Sequence, residues 1–495
     1  MKTLRFLFFL FAVFAGGFAN AQGYNNLWLM GYGNYAPLPF GGTNIDFYNG
    51  TANVYFEPNR TLEFGSTVLN ITDSLGDLLF YSNGIKIMNK SNVIMLNGDS
   101  LNPSYYTSNM VNHGLNLINN FISIKMPESD SLFFVFHETL DHQLPAWPDK
   151  CYYSIINLNG DSGNGEVFQK NTVLINDTLA AQMSVCKHAN GRDWWIVIPE
   201  AYSPGYYIYL LSSNGLQFIN QQTIGTRWFV YGGQSTFSRD GSLYAMYDSR
   251  NDLEVFDFDR CSGLFSNARQ VAIYDTMNST GVAISPNNRF IYGSSGLYLY
   301  QFDLQNLQNY QTFTWDSFRD PFGNYSTLFF TQELMPDNKI YINTGNGTRY
   351  LHVINYPDSL GASCQLAQHS FVLPTINFQS TPYYPNVFLG PVVGSICDSL
   401  SVGLPHNSIQ SAGLRLNPNP ASNQVWVNYQ FPNNRDGWLE MYDPVGQLIL
   451  KRRLYWSTTQ LLVYLNEIKS SGMYVAKVFD DTKTYSSTER LIIIK

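Results

Sequence analysis

The sequence predicts an all-β protein, a seven-bladed β-propeller followed by a small immunoglobulin-like β-sandwich. Of its 495 residues, 16% are aromatic and 13% are charged, a composition that favours strands with much buried surface. A tight turn followed by an aromatic-rich strand recurs at a spacing of roughly 50 residues, which is the period of propeller blades built from short strands. A polar stretch separates these repeats from a C-terminal set of short alternating strands. No sustained helical periodicity competes with these signals.

Residues 1–21 have the pattern of a secretory signal peptide. Lys2 and Arg5 precede an apolar run, and Ala19 and Ala21 supply the small residues of a cleavage site. No later segment has the roughly 18 apolar residues of a membrane-spanning helix. The formal net charge of −8 also lacks the basic balance that binding to nucleic acid requires. We therefore expect an exported protein with no nucleic-acid partner and no transmembrane segment in the mature chain.

Repeated turns predict the blades of a propeller spanning residues 22–398. The clear copies lie at 187–198, 237–247, 284–294 and 334–343, and looser ones at 74–81 and 129–136. In each clear copy Asn or Asp precedes Gly or Asn, residues that accept the positive φ angle by which a hairpin closes. We expect six units between about residues 66 and 356, and a seventh shared between residues 26–33 and 366–393.

Three phrases in this region resemble those of large exported propeller proteins of gram-negative bacteria that are associated with gliding motility. They are GDLLFYSNGIKIMN (76–89), FDFDRCSGLF (256–265) and MPDNKIYI (335–342). The resemblance extends over roughly residues 25 to 395. It implies the propeller architecture, and it implies little about activity.

A polar, turn-rich linker at residues 399–413 precedes the C-terminal domain at 414–495. Short strands with alternating polarity are predicted at 424–429, 438–443, 447–450, 461–465, 473–479 and 491–495. Their number and spacing suggest a small β-sandwich.

Four phrases of this domain resemble the C-terminal sorting domain of type IX secretion cargo. They are NPNPA (417–421), YDPVGQ (442–447), SGMYVAKV (471–478) and LIIIK (491–495), in the order and position of that family. The resemblance implies passage of the inner membrane through the signal peptide and of the outer membrane through this domain. The signature residues are Pro418, Asn419, Pro420, Gly446, Gly472, Tyr474 and Lys495. A purely structural interpretation stays open, because such prolines suit an edge strand and such glycines suit hairpin turns.

Fragments that resemble catalytic or metal motifs are interpreted as structural, so no catalytic, cofactor or metal site is predicted. Ser162 lies in GDSGNG, but a tight turn explains it better than a serine nucleophile. His137, Glu138 and His142 have the wrong spacing for a helical zinc motif, and we expect an exposed polar loop there. Asp257 and Asp259 lack the remaining ligands of a calcium loop and are expected to cap a strand end.

Cysteines and aromatic pairs are also interpreted as core residues. The five cysteines form no C-x-x-C pair, so buried thiols are expected and the sequence leaves any disulfide pairing open. The aromatic clusters at 194–195, 206–209 and 383–384 are expected in the blade cores, with stacking on sugar rings as the alternative.

A tripeptide of Asp, then Ser or Thr, then Leu or Met recurs along the chain. It resembles the acceptor of the general periplasmic O-glycosylation system of bacteria with type IX secretion, and turn chemistry is the alternative explanation. The candidate acceptors are Ser74, Ser100, Ser131, Thr178, Thr276, Ser359 and Ser399.

The sequence favours a non-enzymatic surface or secreted module that contacts an extracellular protein or glycan. The alternative is an extracellular propeller hydrolase or lyase acting on polysaccharide or peptide, since propellers host both classes. The expected partners are the type IX secretion machinery and this unknown ligand. The expected location is outside the cell or on the outer-membrane surface of a gram-negative bacterium. Release, anchorage and oligomeric state are not predicted.

Overall fold

The structure is a computed structural model of the whole chain, and its contacts divide the chain into two compact units, Met1–Ser399 and Leu400–Lys495. The description below covers residues 23–48, 50–139, 148–226, 233–248, 250–273, 280–398, 413–431, 434–443, 447–466, 468, 470–482 and 486–495. The predicted signal peptide and nearly all of the predicted linker therefore lie outside the described residues.

Seven antiparallel sheets make up the described part of the first unit. Sheet 1 contains β1 Leu27–Gly31, β2 Gly42–Asp46 and β3 Asn53–Glu57; sheet 2 contains β4 Leu69–Thr72, β5 Leu78–Ser82 and β6 Ile87–Asn89. Sheet 3 contains β7 Phe121–Lys125, β8 Leu132–Thr139, β9 Lys150–Asn157 and β10 Glu166–Ile175. A short helix, α1 Tyr105–Asn109, lies between sheets 2 and 3, and a 3₁₀ turn, Asp161–Gly163, joins β9 to β10.

The remaining four sheets each have four strands in sequence order. Sheet 4 contains β11 Ser184–Lys187, β12 Trp194–Pro199, β13 Gly205–Ser212 and β14 Gly215–Thr223; sheet 5 contains β15 Gln234–Phe237, β16 Leu243–Asp248, β17 Asp252–Asp259 and β18 Leu264–Val271. Sheet 6 contains β19 Thr280–Ile284, β20 Phe290–Ser295, β21 Tyr298–Asp303 and β22 Asn306–Thr314. Sheet 7 contains β23 Gln332–Leu334, β24 Ile340–Ile342, β25 Thr348–Ile354, a 3₁₀ turn Gly361–Cys364, and β26 Leu366–Asn377.

The seven sheets follow one another around a ring, because each shares an apolar core with the next. Phe80 of sheet 2 packs with Phe133 of sheet 3, and corresponding clusters join sheets 3 to 4, 4 to 5, 5 to 6 and 6 to 7. The ring returns to its start where Trp28 and Phe47 of sheet 1 pack with Tyr341 of sheet 7. This confirms the predicted all-β architecture with blade-like sheets.

The seventh repeat, predicted to be shared between residues 26–33 and 366–393, is only partly as expected. Residues 366–377 do not complete sheet 1, since they form the outermost strand of sheet 7. The chain after that strand does pack against sheet 1: the Trp28 indole donates to the Ser380 carbonyl oxygen at 3.3 Å. Asn25 Nδ2 likewise donates to the Pro385 carbonyl oxygen at 2.7 Å. The repeat spacing predicted that the two ends of the ring meet here, but it could not show that residues 366–377 belong to sheet 7.

The repeated turns close by the chemistry that their residues predict. Asp240 Oδ1 accepts the Ser242 amide at 2.9 Å, and Asn287 Oδ1 accepts the Arg289 amide at 3.0 Å, at equivalent positions of two repeats. The next position has a positive φ angle in each clear copy. These left-handed residues are Gly191, Gly241, Asn288 and Asn338. The turns therefore begin and end at equivalent residues of sheets 4 to 7.

Polar side chains connect the innermost strands at the end of the ring where those strands begin. Ser184 and Ser235 hydroxyls lie 2.6 Å apart, and Asn119 Nδ2 donates to the Ser235 carbonyl oxygen at 2.9 Å. Gln234 Nε2 donates to the Gln332 carbonyl oxygen at 2.7 Å. All five residues are buried. Because these buried amides and hydroxyls hydrogen-bond across sheet boundaries, the network links sheets 3, 4, 5 and 7.

The second unit is a two-sheet sandwich, as the alternation predicts. One sheet contains β27 Gly413–Asn417, β28 Gln424–Gln430 and β31 Gln460–Tyr464; the other contains β29 Gly437–Tyr442, β30 Leu448–Leu454, β32 Gly472–Asp480 and β33 Ser486–Ile493. Inward residues of both sheets, including Val425, Val427, Leu439 and Val478, form one apolar core in which they are fully buried.

Two of the cysteines are paired, which settles the pairing that the sequence left open. Cys261 and Cys397 form a disulfide across a sequence separation of 136 residues. Cys151, Cys186 and Cys364 are free and buried, as expected for small core residues. Scattered single cysteines carry no spacing signal, so the pairing was open at the sequence level.

Candidate functional site

A cavity of about 840 Å³ opens at the end of the ring where the innermost strands finish. Its walls include the last residues of β11, β15, β19 and β23 and the first residues of the turns that follow β15 and β23. The rest of the lining comes from residues 383–389, from the chain that precedes β1, and from Phe47, Tyr48 and Gly50. Cavities of this size suit small molecules or the end of a chain. The cavity is therefore the candidate binding site of the first unit.

The central segment, residues 378–398, leaves the outer edge of sheet 7 and passes along the cavity to sheets 4 and 5. Asn386 Nδ2 donates to the Arg239 carbonyl oxygen at 2.6 Å, and Arg260 Nη2 donates to the Gly390 carbonyl oxygen at 2.6 Å. The Cys397 disulfide then fixes the segment to sheet 5 through Cys261. One wall of the cavity is thus an irregular backbone held at several points.

Glu333 is the carboxyl group among the residues that line the cavity. It is 8% exposed, and burial raises the pKa of its carboxyl well above the ordinary value, with partial relief from the backbone amide of Tyr384. A carboxyl with a raised pKa is neutral over a wider pH range and can then donate a hydrogen bond as well as accept one. The same environment raises the pKa of the Tyr384 hydroxyl, first through burial.

Two cationic side chains stand at the other side of the cavity, each with a local partner. Lys187 Nζ donates to the Gly191 carbonyl oxygen at 3.2 Å and lies 5.3 Å from the centroid of the Trp194 ring. Burial, and then the charge of the Arg260 guanidinium, lower the pKa of Lys187. Arg239 is exposed and donates to Asn338 Oδ1, which connects the turns of sheets 5 and 7. These cations make part of the lining polar, while the rest combines aliphatic, aromatic and amide side chains.

Sequence reasoning missed Glu333, although the repeats hold a signal for it. When the repeats are aligned on their turns, Glu333 occupies the position of Cys186, Thr236 and Ala283. All four residues line the cavity. A carboxyl at a position where the other copies have small residues marks a departure from the repeat, and such departures concentrate at functional sites.

The sorting-domain signature gathers at one end of the sandwich, although its residues come from both ends of the domain. Asn419 Nδ2 donates to the Arg490 carbonyl oxygen at 2.7 Å, and Asn419 Oδ1 accepts the Ile492 amide at 2.9 Å. Ala421 continues this contact by exchanging backbone hydrogen bonds with residues 492 and 494. Asn419, between the two prolines Pro418 and Pro420, thus attaches the start of the domain to its last strand.

The terminal lysine and the glycine–tyrosine phrase lie at the same end. Lys495 Nζ donates to the carbonyl oxygens of Ser422, at 2.9 Å, and Leu465, at 2.7 Å. Gly472 pairs with Ile493 in the sheet. Tyr474 is buried, and its hydroxyl donates to the Ser470 carbonyl oxygen at 3.0 Å. Gly446 lies outside the described residues. The described signature residues therefore share one structural cluster.

The expectation of an exposed polar loop at His137 and Glu138 is wrong. Both residues belong to β8 and are fully buried. The His137 ring nitrogens hydrogen-bond Asn102 Oδ1 at 2.7 Å and Ser154 Oγ at 2.9 Å, and burial lowers the pKa of the imidazole to about 3. The strand extends three residues beyond its apolar run, and two of them, His137 and Thr139, find hydrogen-bond partners in the core. His142 lies outside the described residues.

The other fragments that resemble catalytic motifs are structural. Ser162 lies in a 3₁₀ turn with a φ angle of 56°, as a tight turn predicts. Asp259 ends β17 and accepts the Cys261 amide at 2.9 Å, whereas Asp257 pairs with Arg269 instead of capping. In the described part of the chain, no group of three His, Cys, Asp or Glu residues could hold a metal ion.

The three aromatic clusters are largely core, as expected. Trp194 and Trp195 are buried, as are Tyr206 and Tyr209. Tyr383 is buried against sheets 3 and 4, whereas Tyr384 is partly exposed. Both tyrosines line the cavity.

The described candidate glycosylation sites lie between strands. Ser74 and Ser100 are exposed, whereas Ser131, Thr178 and Ser359 are partly exposed. Asp73 Oδ1 accepts the Leu75 amide at 2.8 Å, so turn chemistry operates at the first tripeptide. Thr276 and Ser399 lie outside the described residues.

Residues 415–495 match the family of secretion system C-terminal sorting domains. The tail marks the chain as an exported protein that interacts with the type IX secretion machinery. Among the described residues, no helix has the length and apolar character needed to cross a membrane. No curated protein matches the chain.

Solved structures share only a distant likeness with the chain. One is PorZ, a surface component of the type IX secretion system of Porphyromonas gingivalis, at 10% identity and a TM-score of 0.30, covering 92% of this chain and 68% of that one. Another is a putative 6-phosphogluconolactonase from Bacteroides uniformis, at 10% identity and a TM-score of 0.42, covering 72% of this chain and 98% of that one. Likenesses at this level assign no activity.

Proposed function

We propose that this exported protein is a non-enzymatic binding module that holds an extracellular protein or glycan at the mouth of its ring. The observation that carries the proposal is the cavity of about 840 Å³, which is walled by the ends of the innermost strands of four sheets and by the turns that follow two of those strands. Rigid turns around a concave site are a common platform for recognition. Display at the surface or release outside the cell follows from the sorting domain.

The lining chemistry supports a ligand that is mostly uncharged. Glu333 is buried and its pKa is raised, so the wall beside the central segment favours hydrogen bonds over ion pairs. Phe237, Phe388 and Tyr384 add aromatic surface, and Asn26 and Gln332 add amides. Aromatic and amide groups together suit either a sugar residue or an inserted peptide side chain.

A cavity-filling variant tests the proposal. Thr236 lines the cavity, and Thr312 lies exposed on the outermost strand of sheet 6. The mature protein should retain ligands from a glycan and surface-protein array, and Thr236→Trp should weaken that binding at least tenfold. Thr312→Trp, which adds the same side chain outside the cavity, should leave it unchanged. Equal binding by both variants would contradict the assignment of the cavity.

An extracellular hydrolase or lyase is the second candidate, and Glu333 favours it. A buried carboxyl with a raised pKa is what a general acid requires. The test is turnover of polysaccharide and peptide substrates by the mature protein and by Glu333→Gln. Turnover that disappears in Glu333→Gln while binding persists would favour the enzyme. Binding without turnover in both proteins would favour the module.

A further inference from the structure

Exposed aromatic rings gather at the end of the ring opposite the cavity. The loop 32–41 follows β1, whose first residues lie beside the cavity, so this loop projects at the other end. The loop 318–326 precedes β23 and contacts the loop 32–41 at this end. The rings of Phe40 and Phe322 have centroids 6.5 Å apart. Exposed fractions are 61% for Tyr35, 41% for Phe322 and 51% for Tyr325. We call Tyr32, Tyr35, Phe40, Phe322 and Tyr325 the aromatic patch.

Four rings of the aromatic patch lie next to one another. Tyr32 and Phe40 are 5.1 Å apart in an edge-to-face arrangement. Burial raises the pKa of the Tyr32 hydroxyl, and the nearby Glu63 carboxylate and Tyr325 hydroxyl add to that rise. Tyr32, Phe40, Phe322 and Tyr325 therefore form one surface from two loops, and Tyr35 lies next to it through its hydrogen bond to Glu63.

A polar network borders this surface. The Tyr35 hydroxyl donates to Glu63 Oε2, and His113 Nδ1 lies 3.0 Å from Glu63 Oε1. The Glu63 side chain is 10% exposed and that of His113 is 63% exposed. A carboxylate that is nearly buried thus presents a hydroxyl and an imidazole to solvent beside the rings. The hydroxyl and the imidazole can each donate and accept hydrogen bonds, and the Glu63 carboxylate is already hydrogen-bonded to both.

A buried ion pair holds one loop of the patch in place, and a backbone hydrogen bond holds the other. Asp320 is fully buried, accepts the Phe322 amide at 2.8 Å and the Arg349 amide at 2.8 Å, and pairs with the Arg349 guanidinium at 3.4 Å. The other loop is attached where the Asn34 amide donates to the carbonyl oxygen of the buried Arg60 at 2.7 Å. Burying a charge is costly. Here it fixes exposed rings in advance, which lowers the entropy lost on binding.

We propose that the aromatic patch binds the hydroxylated chain of a neutral glycan. The rings supply flat apolar faces for pyranose rings, and the Tyr35, Glu63 and His113 network supplies partners for hydroxyl groups at the edge. The carboxylates are already engaged, Glu63 in hydrogen bonds with Tyr35 and His113 and Asp320 in an ion pair with Arg349, so the surface favours an uncharged ligand. The inference rests on the proposed binding function and adds a second site with a stated ligand class.

The test compares aromatic variants of the mature full-length protein by isothermal titration calorimetry. The probes are α-linked and β-linked glucan hexasaccharides and polysaccharide extracted from the surface of the host cells. Tyr35→Ala with Tyr325→Ala should weaken binding to at least one probe about tenfold or more, and Phe322→Ala should do so separately. Tyr356→Ala and Phe168→Ala are matched controls, since those rings are 56% and 70% exposed outside the patch. Tyr35→Phe should retain most of the affinity because it keeps the ring.

The outcomes separate this inference from the cavity. If all probes bind and the patch variants leave the affinity unchanged while Thr236→Trp removes it, the cavity is supported and the patch is overturned. If no probe binds, the glycan assignment is overturned, and the cavity stands or falls on its own array. If the patch variants instead abolish cross-linking to one identified surface protein and no probe binds, the patch is a protein-docking surface and the glycan assignment is wrong.

Discussion

Two neighbouring ionisable side chains are buried in the same strand with different effects on folding stability. Glu138 is fully buried, and neither carboxylate oxygen has a hydrogen-bond partner among the described residues. Burial raises the pKa of this carboxyl well above its ordinary value. His137 next to it is buried with two partners. A buried carboxyl without partners adds nothing to stability at neutral pH, so the two neighbours have opposite effects in the same strand.

Glu138→Met should stabilise the protein, and more so at higher pH. The folded carboxyl has a raised pKa, so the pH-dependent part of its cost is absent below about pH 4, where both states are protonated, and grows as pH rises and the unfolded state ionises. We expect a gain of about 1–3 kcal/mol at pH 4, from removal of an unsatisfied polar group, and a larger gain at pH 8. Urea unfolding at pH 4 and pH 8 measures it. Asp77→Asn, at an exposed carboxyl, is the control; equal gains at both pH values would contradict the argument.

We propose that the mature protein carries O-linked glycans on the recurring Asp-Ser/Thr-Leu/Met tripeptides. Ser74 and Ser100 are exposed between strands, where a transferase has access. Glycans there would keep sheet edges hydrated and hinder association of one edge with another. The intact mass of protein from its native host should exceed that of the processed polypeptide, with Ser74 and Ser100 peptides modified. A mass equal to the polypeptide alone would end the proposal.

At the scale of elements, the repeats were predictable and the departures from them were not. Turn residues fix each hairpin locally, so the strands of sheets 4 to 7 follow from spacing. The central segment has no such pattern, because its position depends on single hydrogen bonds to sheets far away in sequence, such as Asn386 to Arg239. Glu333 and the aromatic patch likewise need the ring to be assembled. Periodicity predicts elements, whereas these sites arise from contacts between them.

Removing the Cys261–Cys397 disulfide should release the end of the central segment. The crosslink spans 136 residues. Closing a loop of that length raises the free energy of unfolding by about 4–5 kcal/mol through the lost entropy of the unfolded chain. Cys261→Ser with Cys397→Ser should lower the melting temperature and speed amide exchange over residues 390–398. The hydrogen bond from Trp28 to Ser380 should keep residues near 380 protected. Unchanged exchange at 390–398 would show that other contacts hold that part of the segment.

At the scale of the whole molecule, the chain consists of two units with separate cores. The first contains seven sheets that pack in a ring, and the second has one apolar cluster of its own. Because each unit has its own core and the sequence between them is polar, we expect each unit to fold and unfold independently. The contacts divide the chain at Ser399, where the sequence has a polar, turn-rich stretch.

Limited proteolysis should therefore cut between the units first. We expect early cleavage within residues 399–413 and two resistant fragments, one for the ring and one for the sandwich. Mass spectrometry of the fragments identifies the sites. Cuts scattered through the repeats at the same rate would mean that the ring has no independent stability.

Deleting residues 414–495 should retain the protein in the periplasm, because the sorting signature would be lost with the second unit. Fractionation of the native host measures it, with the full-length protein as reference.

A sharper version changes single contacts: Asn419→Ala removes two hydrogen bonds to the last strand, and deletion of Lys495 removes those to Ser422 and Leu465. If the clustered end of the sandwich is the recognised surface, both changes should impair export while the ring remains folded. Asn428→Ala, at a side chain whose 3.5 Å hydrogen bond to Arg415 lies elsewhere in the sandwich, should be exported normally. Normal surface display of the deletion variant would refute the export role, whereas loss of export in Asn428→Ala as well would show that folding of the domain, not its signature, is what the machinery requires.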